Sequence, residues 1–332
     1  MGLGNVALDG HLPGWAAGAD VEIVAVTDVD PARRTEAAAR VPAARWCDSA
    51  DELLATPGLD FVDICTPPSS HAGLIEHALT RGVHVLCEKP LVRTCDELAA
   101  VSRLAAARRR VLHTVHNWHH APIVRRTAEL VREGAIGRVT HVTWHTLRAR
   151  PAATRDGQGI NWRLDPDVAG GGILTDHGWH VFYVVQRWVG ARPAAVRARL
   201  EKRKHAALAV EDTATVELTF PDARAEIVLT WAADERRNWA EVRGTTGTLE
   251  VQDDTLVLHR GDLTERWPCP PALSKGSAHP DWFAPVAAGF VTAMAAGDGH
   301  ANLTEASLCV LLESLARESS RRGGETLKVD AL

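Results

Sequence analysis

The sequence predicts an α/β protein, a doubly wound parallel sheet followed by a second, α+β unit built on a large, mostly antiparallel open sheet. Two observations carry that expectation. From Val21 to about Val115, short β-branched runs alternate with longer helical patterns, the signature of βα units and a parallel sheet. After about Ala121 one long helical segment gives way to an Arg- and Gly-rich loop, a helix from about Leu174, and then many alternating strands. The expected division is therefore residues 1–120 and 121–332.

In the first part the strand candidates are Val21 to Thr27, Phe61 to Cys65, Val83 to Cys87 and Val111 to Val115, with a weaker one near Ala44. Ser49-Ala50-Asp51-Glu52 and Thr94-Cys95-Asp96-Glu97 are capping boxes that open two of the intervening helices, hydroxyl and carboxylate satisfying orphan amide donors. In the second part the candidates are Val139 to Leu147, Val196 to Lys202, Thr213 to Phe220, Ala225 to Trp231, Glu241 to Arg243, Thr248 to Val251 and Thr255 to His259. Asn302-Leu303-Thr304-Glu305 is expected to open a last helix running to about Arg322. Such a sheet has one face for helices and one for a second subunit, which predicts a homodimer or homotetramer.

Composition narrows the function. With 332 residues and 45% hydrophobic side chains the chain can fill two ordinary cores. A net charge of −5 gives no basic excess for a phosphate backbone or an anionic membrane, so nucleic acid and membrane partners are not expected. The six cysteines form no C-x-x-C pair and read as reduced core residues, and no apolar run of about 20 residues or secretory leader is evident. The expected setting is the cytoplasm.

Gly2-Leu3-Gly4-Asn5-Val6-Ala7 has the G-x-G-x-x-A spacing that lets backbone approach a pyrophosphate at a helix N-terminus. The run Val21 to Thr27 then ends in Asp28, where an acid grips ribose hydroxyls and repels a 2′-phosphate. This favours NAD, although Arg33 and Arg34 keep NADP open. In a doubly wound sheet the strand before such a glycine turn is central, and none precedes Gly2 here. The sequence-based expectation is a natural start upstream of Met1.

Further along, Asp176 and His180 stand four apart in a helical pattern, so acid and base share a face. Gly170-Gly171-Gly172 before them removes side chains where a nicotinamide or substrate would meet backbone. Histidine suits proton transfer because its ordinary pKa lies near neutrality. His116-Asn117-Trp118-His119-His120 follows the last strand of the parallel region; it lacks a Cys or acid spaced to complete a zinc site, and no metal is expected. Trp118, Trp162, Trp179 and Trp282 are candidates for stacking on sugar rings, or core residues. Arg148, Arg150, Arg155 and Arg163 could hold a phosphate or carboxylate, or form a solvated loop.

Cys65-Thr66-Pro67-Pro68-Ser69-Ser70-His71, Glu88-Lys89-Pro90, Asn161-Trp162-Arg163, the glycine triplet, Asp176 to His180 and Val210-Glu211-Asp212-Thr213 appear in an order and spacing that resembles the Gfo/Idh/MocA oxidoreductases. That resemblance implies a Rossmann domain, an oligomerising C-terminal domain, a catalytic Lys89, and a cis peptide at Lys89-Pro90. Many relatives carry Asp where this chain has Tyr183, its only tyrosine, and Ser277 to Trp282 resembles a loop that closes over substrate. The expected cofactor contacts are Gly2, Gly4, Asn5, Val6, Asp28, Thr66, Pro67, His71, Glu88, Lys89 and Asn117. The expected substrate contacts are Lys89, His116, Trp162, Arg163, Asp176, His180 and Tyr183, with Lys89, Asp176 and His180 catalytic. The reaction so implied moves a hydride between a nicotinamide dinucleotide and a hydroxyl carbon of a sugar, a polyol or a sugar derivative. Alternatives are an NAD-dependent glycosidase using transient oxidation, reduction of a phosphorylated or nucleotide-linked sugar, and a dinucleotide- and sugar-binding regulator without chemistry.

Overall fold

Short parallel strands frame the first part of the chain in the computed structural model, which describes residues 1–18, 21–153, 161–276 and 278–330. Arg155 and Ser277 lie outside the described residues. The chain divides into two units, one of residues 1–117, 154–162 and 276–310, the other of residues 118–153, 163–275 and 311–332.

The strands of the first unit are β1 (Ala25–Val26), β2 (Arg45–Trp46), β3 (Phe61–Ile64), β4 (His84–Cys87) and β5 (Leu112–Thr114). They form two parallel ladders, β1-β2 and β3-β4-β5. Ser49 Oγ accepts from Glu52 N, and Thr94 with Glu97 completes a reciprocal capping box, as the sequence predicts. Met1 sits between the ladders. Its nitrogen donates to Asp63 O at 2.8 Å, its carbonyl accepts from Cys65 N at 2.8 Å, and Gly2 N donates to Thr27 O at 2.9 Å. Two residues, Met1 and Gly2, thus bridge the ladders. Beside them a cavity of about 670 Å³ is lined by Leu12, Trp15, Val21, Ile23, Val62 and Met294 among others. The run Val21 to Thr27 is a strand only at Ala25–Val26, paired with Arg45–Trp46.

The core of this unit packs Trp15, Leu86, Val111 and Val115 against Phe283 and Phe290 of a helix at Pro280–Ala296. That helix takes in Pro280, Asp281 and Trp282 of the expected loop, with Trp282 1% exposed and stacked on His279. The last helix also starts earlier than predicted, at His300. Asp298 Oδ1 accepts from His300 N, while Asn302, expected to cap it, donates to Thr114 O and accepts from Thr114 N.

The second unit is built on a nine-stranded sheet, ordered β13-β12-β11-β10-β6-β9-β8-β7-β14. Its strands are β6 (Val139–Leu147), β7 (Ala195–Glu201), β8 (Thr213–Thr219), β9 (Arg224–Thr230), β10 (Arg237–Gly244), β11 (Thr248–Gln252), β12 (Thr255–Arg260), β13 (Leu263–Pro268) and β14 (Leu327–Lys328). All pairs are antiparallel except β6 with β9. Alternation decides the faces: Val142 and Trp144, Ile227 and Leu229, Val242, and Leu249 and Val251 are buried, while His141, Glu226, Arg197 and Glu217 lie on the other side of the pleat. β13 and β14 escaped the sequence reading because β13 is largely exposed and polar and β14 has two residues. Among the described residues no helix is long and apolar enough to cross a membrane.

The cavity beside Met1 yields a test. Fusing five β-branched residues ahead of Met1 is expected to complete the ladder between β1 and β3. Each side chain so buried contributes about 1.5–3 kcal/mol, and each kcal/mol moves the melting temperature of a domain of this class by roughly 2–4 °C. Scanning calorimetry should show a rise beyond about 5 °C; an unchanged melting temperature would mean that the gap does not accept a strand.

Candidate active site

Gly2 has φ +81°, and a Cβ there would lie 2.8 Å from Thr66 N and 2.9 Å from Cys65 C. Only glycine fits that turn. At Gly4 an added Cβ would meet nothing within 4 Å, so the backbone there borders open space at the start of a helix running from Asn5 to Gly18. Asn5 Oδ1 is buried with no hydrogen-bond partner, an acceptor available to a ligand. Asp28 Oδ2 accepts from Leu3 N at 2.6 Å and Oδ1 from Asp30 N at 2.8 Å, which fixes a carboxylate beside the glycine turn. Arg33 is drawn to Glu36 at 3.2 Å and Asp30 at 3.7 Å. A close-approach turn, an open backbone, an orphan acceptor and an anchored acid fit a dinucleotide with free ribose hydroxyls.

Thr66 and Pro67 follow β3, and Glu88 and Lys89 follow β4, at the carboxyl ends of parallel strands. The Lys89-Pro90 peptide is cis, as the resemblance implies. His71, expected against the cofactor, is fully buried instead: Nδ1 lies 2.8 Å from Pro90 O and Nε2 2.8 Å from Thr66 O. Burial pushes its pKa down even though both carbonyls pull the other way. Its work is to tie the Thr66 turn to the Lys89-Pro90 turn. His116 is likewise buried, with Nδ1 2.8 Å from Glu305 Oε2, and Asn117 begins a 3-10 turn to His120.

Sequence reading passed over His11. It lies in a π-helical turn, Ala7–His11, with Nδ1 2.9 Å from Asp63 Oδ2 and Nε2 3.1 Å from Glu88 Oε1. The available signal was Asp63, a carboxylate inside an apolar strand, which demands a buried partner.

In the second unit, His180 is 7% exposed and stacks on Trp118, ring centroids 4.5 Å apart and planes at 10°. Its Nδ1 lies 2.9 Å from Tyr183 Oη, which also accepts from Trp118 N at 3.0 Å. Tyr183 is wholly buried, so it acts through His180, fixing the ring that the Trp118 face supports. Asp176 sits in a π-helical turn, Leu174–Gly178, ahead of the helix Trp179–Val189. Such turns are rare and cluster at functional sites. Asp176 Oδ1 is 3.7 Å from Arg163 Nε and Oδ2 3.1 Å from His177 Nδ1.

The glycine triplet serves a different purpose from the one expected. A Cβ at Gly171 would overlap Arg317, and one at Gly172 would overlap Glu211 O. These glycines admit an internal buttress: Glu211 Oε1 accepts from Gly172 N at 3.0 Å and Leu174 N at 3.3 Å, and Arg317 pairs with Glu211 at 3.2 Å. The buttress fixes the turn that carries Asp176. Arg148 is also structural, 2% exposed with Nη1 on Leu147 O and Arg237 O, and burial pushes its pKa down to about 10. Of the four tryptophans proposed for stacking, Trp179 and Trp282 are core, Trp118 backs His180, and Trp162 alone is half-buried.

Two glycine substitutions separate turn from ligand contact. Gly2→Ala should cost about 1–3 kcal/mol of stability through strain and overlap. Gly4→Ala should leave the melting temperature alone while weakening NAD binding at least roughly tenfold, about 1.4 kcal/mol. Calorimetry and NAD titration read both, and unchanged NAD affinity in Gly4→Ala would remove the dinucleotide from this turn.

Residues 1–116 match the oxidoreductase family with an NAD-binding Rossmann fold, and residues 124–250 match the GFO/IDH/MocA C-terminal domain. A D-apiose dehydrogenase of Paraburkholderia graminis is 31% identical over 279 residues, 80% of this chain and 71% of that protein. A levoglucosan dehydrogenase of Pseudarthrobacter phenanthrenivorans is 26% identical over 361 aligned positions, 92% of this chain and 90% of that protein. A solved levoglucosan dehydrogenase in complex with NADH and levoglucosan superposes with a TM-score of 0.85 at 22% identity, covering 99% of this chain and 97% of the other. With both halves matched and the glycine turn, Asp28 and the nine-stranded sheet in place, the chain belongs to the GFO/IDH/MocA family of NAD-binding oxidoreductases.

Proposed function

We propose that this oxidoreductase oxidises a CH–OH group of a sugar, polyol or sugar derivative, passing the hydride to NAD, and that residues 1–120 bind the dinucleotide while residues 121–332 bind substrate and join subunits. The observation that carries the reading is the His180 assembly, a buried imidazole held by Tyr183 and the Trp118 face within a family of NAD-binding oxidoreductases. The two dehydrogenase relatives act, by name, on levoglucosan and D-apiose, which supports a carbohydrate substrate.

The chemistry balances in one step. His180 takes the hydroxyl proton as the C–H bond breaks and the C=O bond forms. The tautomer this requires carries its proton on Nδ1, donated to Tyr183 Oη, and offers the lone pair on Nε2; phenol oxygen can accept from both Nδ1 and Trp118 N. Asp176 orients the reacting group, and Lys89 stabilises the developing oxyanion. Bound NAD supplies the hydride acceptor. Gly2, Gly4, Asn5, Val6, Asp28, Thr66, Pro67, Glu88 and Asn117 would hold it, and Trp162 and Arg163 would meet substrate, while the buried His116 stays paired with Glu305. Asp28 favours NAD over NADP by charge, with Arg33 already engaged by Glu36. The polar face of the nine-stranded sheet supports a homodimer or homotetramer, and the free thiols of Cys47, Cys65, Cys87 and Cys269 fit a cytoplasmic setting.

The test is an absorbance screen at the reduced-nicotinamide band, with NAD and NADP each offered against polyols, aldoses, amino sugars and sugar phosphates. Turnover is expected with NAD and at least one such substrate. His180→Ala should lower kcat about 10²–10⁴-fold with NAD affinity unchanged, and Tyr183→Phe roughly tenfold through the lost orienting bond. Folded protein that binds dinucleotide but turns over no substrate would favour a regulator, and release of an aglycone without net NADH would favour the glycosidase. Light scattering should give two or four copies; a monomer would refute the interface.

A further inference from the structure

We propose that His11 is a positioning residue that sets the Glu88–Lys89 turn and, through it, the Lys89 ammonium. The proposal rests on the catalytic assignment of Lys89 made above.

His11 is 2% exposed and stacks on Phe283, centroids 3.8 Å apart. Its Nδ1 reaches both oxygens of Asp63, at 3.1 and 2.9 Å, and its Nε2 reaches Glu88 Oε1 at 3.1 Å. Ionised carboxylates only accept, so the ring bridges them best with a proton on each nitrogen. The other oxygen of Glu88 accepts from Lys89 N at 2.9 Å, which joins the bridge to the backbone of the proposed catalytic lysine. Trp15 Nε1 holds Asp63 from the far side at 2.8 Å.

Burial opposes a charge on His11, but the Asp63 carboxylate overcomes it and the pKa stands well above the ordinary value. Asp63 and Glu88, in turn, are held below the ordinary carboxylate range against burial. The other groups facing the ring are Cys65, whose thiol burial pushes up to about 11, and, around the two carboxylates, the Met1 amino group and Lys89. A packed apolar cluster could fill this space with equal or greater stability. What the ionic bridge adds is a fixed orientation for Glu88. The signs follow: stabilisation from His11 is complete below about pH 6.5 and is lost as pH rises through its raised folded pKa, whereas that from Asp63 and Glu88 is lost as pH falls below about 4.

The experiment compares wild type, His11→Gln and Glu88→Gln. In protein without cofactor, the wild-type melting temperature should decline on the alkaline side while that of His11→Gln should not. In turnover, His11→Gln should lower kcat about 10–100-fold with the NAD dissociation constant within about threefold. The alkaline limb of its kcat profile should move up, because removing the His11 cation leaves the Glu88 anion uncompensated, and that of Glu88→Gln, which removes the anion, should move down. If His11→Gln does not fold, Glu88→Gln decides through its opposite shift. Unmoved limbs, or kcat within about twofold of wild type, would overturn the positioning role. Lys89→Ala with near-normal turnover would remove the lysine assignment while leaving the melting-temperature difference intact.

Discussion

The close approach of Gly2 to the backbone at Cys65 and Thr66 is the constraint on which the rest of the first unit depends. It brings the amino end of the first helix to the carboxyl ends of parallel strands, where open sheets of this kind bind ligands. Three further contacts hold the same edge. Asp28 ties Leu3, His71 ties Thr66 to Pro90, and His11 ties Asp63 to Glu88. Asp28 joins the turn after β1 to the glycine turn, His71 the turn after β3 to the turn after β4, and His11 the strand β3 to the turn after β4, so the edge is fixed by cross-links rather than by strand pairing alone. That matters here, since among the described residues the backbone bonds between the two ladders run through Met1 and Gly2.

The second unit fixes its chemistry by another route. Glu211, two residues before β8, reaches under the glycine triplet and accepts from two amides, and Arg317 pairs with it. A buried charge cluster of this kind contributes little net stability, but removing Arg317, which also pairs with Glu313, would leave Glu211 without its cation. Its value lies in holding the π-helical turn of Asp176 against a rigid sheet. His180 is fixed separately, by the Trp118 face and the Tyr183 hydroxyl. The chain's single tyrosine therefore holds the His180 ring.

Much of this was legible in the sequence, for reasons that differ by element. β6 and the capped helices at Ser49 and Thr94 were readable because alternation and capping chemistry are local. The tight turn at Gly2 was readable because a positive φ and a close backbone approach require glycine there. His71, Gly171 and Gly172 were assigned to ligand but serve internal contacts, since sequence shows that a close approach is needed and not what approaches. His11 was missed because its partners lie 52 and 77 residues away, and nothing local marks a histidine for burial between two acids.

The central claim is that hydride passes directly from the carbinol carbon of a sugar to the nicotinamide. The most direct measurement supplies a substrate deuterated at that carbon, with NAD in ordinary water, and follows the label by mass spectrometry and proton resonance. The account predicts one deuterium delivered to a single face of the nicotinamide ring and none released to solvent. Deuterium appearing in water, with unlabelled reduced cofactor, would contradict it.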